Sequence, residues 1–274
     1  MFYTRKCGEI EDSDFGSEQT LCGWLQDTRN LGGIAFLQLR DITGVIQLTL
    51  LKKKLDADDY KKWTNINRES IVLVRGIVKE NKEAPGGVEM LPDNIELLNE
   101  AETPLPLGVI DKIDSEIETR LNARYLDLRK SEIAANFQIR AAVSGAVHKH
   151  LRREKFLEVQ TPKIIASATE GGTSLFEMKY FDKTAYLAQS PQLYKQMLMG
   201  GGLERVYEIG PAFRAEEHNT PRHLNEFISI DIEMSFADDD VVMGVMERLV
   251  DSAARAVAKE TEALETLGIK PIEL

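Results

Sequence analysis

Hydrophobic and polar residues alternate most regularly between Arg205 and Phe236. An extended backbone puts Val206, Glu208, Gly210, Ala212 and Arg214 on one face. After a charged loop, Ile228, Ile230, Ile232, Met234 and Phe236 form an apolar face, and Phe227, Ser229, Asp231 and Glu233 form the other. The pattern predicts a hairpin whose isoleucine face packs on flanking helices. An aromatic and two acids lined up opposite, beside an arginine-rich loop, suit the floor of a polar site. A plain amphipathic hairpin with a solvated outer face also fits the alternation.

The first hundred residues are strand-rich. Extended runs are predicted at Thr20–Arg29, Ile34–Arg40, Val45–Leu51, Ser70–Lys79 and Val88–Leu98, with turns at Gly32-Gly33, Asp41–Gly44 and Pro85–Gly87. Lys53–Thr64 has helical spacing, with Leu55, Tyr60 and Trp63 as its apolar residues. Five strands with a helix after the third match the order of an OB barrel. Such barrels bind single-stranded nucleic acid by stacking bases on aromatics and reading their edges with polar side chains. Phe36, Gln47 and Glu89 are the candidates here, flanked by Arg29, Arg40 and Lys52. Phe36 reads equally as a core aromatic.

Residues 101–130 form a connector that cannot be helical across Pro104 and Pro106 and then carries a polar, arginine-rich helix. That helix is either a solvated linker or a surface for a polyanion. Ser131–Arg153 is a long helix with Ile133, Phe137, Ala141, Ser144, Val147 and Leu151 on one face. Core packing explains that stripe, and its small residues also allow a two-fold subunit contact. An extended stretch over Phe156–Val159 meets Pro162. Glu170–Thr173 is a glycine-containing acidic loop, Thr184–Gln189 a strand, and Ser190-Pro191 starts a helix running to about Met199. Gln192 and Lys195 share one face of it, either as solvated surface or as groups that hold an amine and a carboxylate. Asp239–Gly268 reads as one helix capped by Asp238 or Asp239, with Val242, Met246, Leu249, Ala253 and Val257 as its stripe.

Composition adds exclusions. The 274 residues are 43% hydrophobic and 29% charged, ordinary for a globular protein of one or two domains. A net charge of −11 argues against nucleic-acid binding driven by global charge, though not against a local basic surface. Cys7 and Cys22 form no CxxC pair and supply no zinc site. His148 and His150 point to different helix faces and are no metal pair. The chain shows no apolar run long enough for a membrane and no signal-peptide core, so a reduced cytoplasmic setting is expected.

Four segments, FLEVQTP, ATEGGTSLF, AQSPQLYKQ and FRAEEHNTPRHLNEF, resemble the class II aminoacyl-tRNA synthetases in the family's own order. The similarity is greatest to the archaeal type of aspartyl-tRNA synthetase. It implies an α+β chain: a five-stranded OB β-barrel for the anticodon over residues 1–100, a hinge over 101–130, and over 131–274 a partial class II antiparallel sheet with flanking helices. The segment ending at Pro162 is the family's first motif, which implies a homodimer. The hairpin loop is the second motif. By resemblance, Arg214 is the catalytic residue, binding the α-phosphate of ATP and the α-carboxylate of the amino acid. Glu216 contacts the adenine amino group, Phe227 stacks on adenine, Arg222 and His223 reach the outer phosphates, and Leu224 adds to the ATP pocket.

Glu170, Gln192 and Asp231 match positions around the ammonium of bound L-aspartate, and Lys195 matches the lysine that pairs with its side-chain carboxylate. Asparaginyl enzymes resemble this chain but lack that lysine. Burying it against a neutral amide would cost several kcal/mol in order of magnitude. Phe36 and Gln47 match positions that stack on and hydrogen-bond the central anticodon uridine, and Glu89 the contact to the first anticodon base. Gln26 and Pro85 stand where enzymes restricted to tRNA(Asp) carry Trp and Lys, which implies charging of tRNA(Asn) as well. The family's third motif, glycine-rich with an ATP-phosphate arginine, and its Mg²⁺ ligands find no match here. The expectation is therefore a truncated aspartyl enzyme whose 274 residues form no adenylate alone. A tRNA-binding protein without catalysis and an asparaginyl enzyme are the alternatives.

Overall fold

The computed structural model describes residues 2–110, 115–167, 175–217 and 224–270. They divide into two compact units, Met1–Ala134 and Ala135–Leu274.

The first unit is built on β1 (Glu18–Asn30), β2 (Ile34–Arg40), β3 (Val45–Leu51), α1 (Ala57–Thr64), β4 (Ile71–Glu80) and β5 (Val88–Asn99). The strands close a barrel in the order β1-β2-β3-β5-β4, and β4 returns to pair antiparallel with β1. Strict alternation decides what faces inward. Ala35, Leu37 and Leu39 of β2 are fully buried, while Ile34, Phe36 and Gln38 face out. Gly23 and Gly76 are required where strands turn tightly against each other, since a Cβ on either would overlap the backbone oxygen of Arg40 or Leu91. The helix expected from Lys53 starts only at Ala57, because the Asp56 side chain caps it by accepting from Asp58 N at 2.8 Å. Tyr60 and Trp63 of α1 join the barrel core.

The connector's single expected helix is two short ones, α2 (Ile117–Asn122) and α3 (Arg124–Asp127), broken at Ala123. The cause is a buried carboxylate. Asp127 takes Arg120 at 2.9 Å and also Arg124, while Leu107, Ala123 and Leu126 pack as a small apolar cluster. Its arginines are thus held by internal acids rather than presented together to a polyanion. Arg129 likewise binds Glu69 at 2.8 Å.

The remaining elements are α4 (Ser131–Arg153), β6 (Leu157–Glu158), β7 (Ile164–Ile165), β8 (Glu177–Tyr180), β9 (Lys183–Leu187), α5 (Gln192–Gly200), β10 (Arg205–Phe213), β11 (Glu226–Met234), α6 (Asp239–Val257) and α7 (Thr261–Thr266). One sheet has the order β11-β10-β6, with β6 parallel to β10; the other has the order β7-β9-β8. β10 and β11 form the expected hairpin, in register from Arg205↔Met234 to Phe213↔Glu226. Val147 and Leu151 of α4 and Val245 and Leu249 of α6 pack on Tyr207, Ile209, Ile232 and Met234.

This cover is narrower than the alternation predicts. Ile228 and Ile230 are 48% and 41% exposed, and Phe236 lies beyond the strand at 96%. Only the Ile232–Met234 end of the apolar face lies in the core cluster with the two helices. For the same reason the stripe on α4 is buried only in its second half; Phe137 is half exposed and Ala141 is exposed. The helix expected over 239–268 stops at Val257 and restarts at Thr261, with Asp238 as its cap. Its buried residues are Val245 and Leu249, so Met246 falls off the packed stripe.

Candidate functional site

On the second unit, α5 covers the polar face of the hairpin. Lys195 is 3% exposed. Its Nζ lies 3.4 Å from Asp231 Oδ1, 3.4 Å from Glu233 Oε2 and 3.1 Å from the carbonyl oxygen of Ile232. Gln192 Nε2 donates to Glu233 Oε2 at 3.3 Å. The i, i+3 spacing on α5 puts both side chains over the strand, and the strand's period of two puts both acids under them. The two carboxylates sit at the rim, about a fifth exposed, and the ammonium sits inside. The result is a buried cation whose partners can be exchanged for another carboxylate from the solvent side.

Glu233 is one of the two acids the alternation puts on the floor of the site, whereas Glu208 was not singled out by the sequence pattern as a site residue. Glu208 stands directly opposite Asp231 across the hairpin. Two like charges so placed repel, and each has its own lysine. Lys163 Nζ lies 2.7 Å from Glu208, which also accepts from Thr161 N at 3.1 Å and Thr161 Oγ1 at 2.7 Å. Glu208 therefore ties the segment around Pro162 to the floor of the site. Only the strand register brings these groups together, and a single sequence does not display register.

Further along the same face, Ala212 pairs with Phe227. Arg214 is exposed just past β10, its backbone N–H bonded to Asn225 O at 2.9 Å. Its guanidinium carbon lies 5.4 Å from the Phe227 ring centroid, a cation–π contact. Glu216 N–H donates to Arg214 O at 2.9 Å, and Leu224 is 58% exposed. Glu170, Arg222 and His223 lie outside the described residues. Among the described residues no cluster of His, Cys, Asp and Glu is suited to hold a metal ion.

On the first unit, the candidates for nucleic-acid contact fall on one outer face of the barrel. Gln38, Gln47 and Glu89 are neighbours across β2, β3 and β5, and Phe36 pairs with Thr49 in the adjacent row. Thr49 Oγ1 donates to Glu89 Oε2 at 2.6 Å, and Gln47 Nε2 donates to Thr49 at 3.3 Å. Arg29, exposed, pairs with Phe36. Gln26 reaches the same row by donating to Gln38 at 3.3 Å, and Pro85 sits exposed in the turn that leads to Glu89. Phe36 thus faces outward rather than into the core. Arg40 is the exception among the expected flanking cations. It is 9% exposed and bonded to Glu69 at 2.8 Å, so it supports the face from below.

The family described as tRNA synthetases class II (D, K and N) matches residues 116–272, more than half of the chain. The chain belongs to the class II tRNA synthetases. An OB-fold nucleic acid binding domain of the anticodon type matches residues 19–98, the span of the barrel. The chain is 55% identical over 261 residues to the aspartate–tRNA(Asp/Asn) ligase of Methanopyrus kandleri, covering 94% of this chain and 61% of that protein. It is 49% identical to the aspartate–tRNA(Asp) ligase of Thermoplasma acidophilum, covering 95% of this chain and 60% of that one. Among solved structures, asparaginyl-tRNA synthetase from Pyrococcus horikoshii complexed with asparaginyl-adenylate superposes with a TM-score of 0.90 at 32% identity, over 97% of this chain and 61% of that one. This class II chain therefore spans about 60% of the length of the relatives it matches. Among its described residues no helix is long and apolar enough to cross a membrane.

Proposed function

We propose that this chain carries the anticodon-binding barrel and part of the active site of an aspartate–tRNA ligase, which activates L-aspartate with ATP and transfers it to tRNA(Asp) and tRNA(Asn). The observation that carries this reading is Lys195, a buried ammonium held by two acids at a solvent-facing rim. In the proposed site an incoming aspartate carboxylate takes the place of Asp231 at Lys195 and releases Asp231 to the substrate ammonium, and the neutral amide of asparagine brings no charge for that exchange. The printed names of the curated relatives support the same substrate. The division into a barrel over 1–100, a connector over 101–130 and a partial catalytic domain over 131–274 goes with it, as does a homodimer through the α4 segment.

The first step needs no general base, because the α-carboxylate that attacks the α-phosphorus is already ionised at neutral pH. A carboxylate–phosphorus bond forms and pyrophosphate leaves. Catalysis is then alignment and neutralisation of negative charge. Aspartate's side-chain carboxylate takes Lys195, and Asp231, freed from that lysine, joins Gln192 and Glu170 around the substrate ammonium. Arg214 bridges the α-carboxylate and the α-phosphate. Adenine stacks on Phe227, with its amino group toward Glu216 and Leu224 at its edge, and Arg222 and His223 take the outer phosphates. Because Arg214 already lies over the Phe227 ring, it either moves off as adenine arrives or keeps one ring face while the base takes the other. Mg²⁺ would neutralise the phosphates, although the described residues offer no ligand cluster for it.

At the barrel, Phe36, Gln47 and Glu89 read the anticodon, and Gln26 and Pro85 set the tolerance for the second tRNA. The test is aminoacylation with labelled aspartate by the protein expressed over its whole reading frame. Label is expected on both tRNA(Asp) and tRNA(Asn) transcripts. Label on tRNA(Asp) alone would remove the relaxed specificity, and esterification of asparagine in place of aspartate would overturn the proposal.

A further inference from the structure

Between β6 and β7 the chain passes from one sheet of the second unit to the other, and one buried side chain ties the crossing down. Val159 N–H still donates to Tyr207 O at 2.9 Å, in the sheet of the hairpin, while Ile164 and Ile165 already pair with Leu187 and Tyr186 of β9. Glu208, 3% exposed, holds the stretch between them. Its Oε1 accepts from Thr161 N–H at 3.1 Å and from Lys163 Nζ at 2.7 Å, and its Oε2 accepts from Thr161 Oγ1 at 2.7 Å. Lys163 Nζ also donates to Thr161 Oγ1 at 3.0 Å. The carboxylate lies along β10 over Gly210, where a Cβ would stand only 3.2 Å from its Oε1. A side chain at 210 would crowd the carboxylate away from its three donors.

This carboxylate fixes where α5 begins. Lys163 O accepts from Ala188 N–H at 2.9 Å, and Ala188 O accepts from Phe213 N–H at 3.0 Å. The end of β9 is thus clasped between Lys163 and β10. Only three residues separate Ala188 from Gln192, and they are themselves bonded into the helix start. Ser190 Oγ accepts from Gln192 N–H at 3.2 Å, and Pro191 O accepts from Lys195 N–H at 2.9 Å. A shift of Ala188 therefore carries into α5. Lys195 Nζ already stands 3.4 Å from Asp231 and from Glu233, long for a charge-assisted contact, so an outward shift of α5 weakens both. The charge on Lys163 matters too. Glu208 pairs with Asp231 across the hairpin, and without Lys163 it would stand there as an uncompensated buried carboxylate that repels Asp231.

We infer that Glu208 and Lys163 are positioning residues for amino-acid recognition. Their ion pair holds the start of α5 at the height that sets Lys195 and Gln192 over β11, and neither residue touches the substrate. The inference rests on the aspartate site proposed above.

The experiment measures ATP–pyrophosphate exchange by the protein expressed over its whole reading frame, with aspartate and ATP varied in turn and a melting curve for each variant. Lys163→Met removes a partly exposed ammonium and leaves Glu208 its two Thr161 donors, so it folds even where a change at Glu208 does not. Its KM for aspartate is expected to rise about tenfold or more, toward the roughly hundredfold cost of a misplacement of about 1 Å, while KM for ATP stays within about twofold. Glu208→Gln, which keeps the shape without the charge, is expected to show the same split. Lys163→Arg returns a cation to Glu208 and is expected to recover most of the loss. An unchanged KM for aspartate in Lys163→Met overturns the inference. So does an equal rise for both substrates, or a loss that Lys163→Arg leaves in place, since those mark a general structural role. Lys195→Met, run in parallel, separates this inference from the reading beneath it. If that variant also leaves KM for aspartate unchanged, the aspartate site fails first, and this inference with it.

Discussion

Lys195 has two carboxylates for one ammonium. With Asp231 and Glu233 at the rim and the amine inside, the local charge is negative until a ligand rearranges it. In the proposed site, removing the amine takes away the cation assigned to the substrate's side-chain carboxylate. Lys195→Met is therefore expected to raise the aspartate KM or lower kcat/KM by about a hundredfold or more, the range for losing a desolvated charge partner. The thermal midpoint should move little, because both acids can rehydrate at the rim. Amino-acid-dependent kinetics alongside a melting curve would check this, and an unchanged kcat/KM for aspartate would remove Lys195 from the substrate site. Lys195 and Gln192 were legible in the sequence because their i, i+3 spacing needs only a helix. Glu233 was legible as an acid on the polar face, but its pairing with Gln192 and Lys195 and the Glu208–Lys163–Thr161 anchor were not, because they depend on how α5 and a segment some 45 residues away pack on the strands.

At the scale of elements, buried charges do more to shape this chain than the hydrophobic pattern alone suggests. The connector divides into α2 and α3 around Asp127, whose side chain is 0% exposed. Burial works to raise the Asp127 carboxyl, but the hydrogen bonds and charges of Arg120 and Arg124 outweigh it and hold the group below the usual carboxylate range. A carboxyl depressed in the fold contributes stability above its unfolded pKa and loses it as pH falls through the folded value. Thermal melting followed from about pH 7 down through the carboxylate range should show the midpoint falling, and Asp127→Asn should lower the neutral-pH midpoint and flatten that acid limb. An acid limb as steep in Asp127→Asn as in the unmodified chain would contradict this assignment. The element boundaries that sequence periodicity missed share one cause. A helix stripe predicts which face can be buried, not how much of it meets a neighbour, so α4 and α6 pack over only part of the length their patterns allow. The isoleucine face of β11 shows the same limit at Ile228 and Ile230.

For the whole molecule, the barrel was the most legible part. Five alternating runs broken by glycine turns, with one helix after the third, left few other topologies, and strand boundaries agree to within a few residues. The second unit was legible through its motifs more than its periodicity, since β6, β7 and β8 are too short to carry a pattern. Membership of the class II tRNA synthetases rests on a match over residues 116–272, while the chemistry proposed for it rests on a few side chains around one buried lysine. The choice between aspartate and its amide is therefore the point where the account is most exposed. It is tested most directly by amino-acid-dependent ATP–pyrophosphate exchange in the protein expressed over its whole reading frame. Aspartate should sustain exchange, with equimolar asparagine or lysine at least about a hundredfold slower, because a neutral or cationic side chain cannot take the place of Asp231 on the Lys195 ammonium. Exchange driven by asparagine as fast as by aspartate would contradict the assignment of Lys195 and the substrate with it.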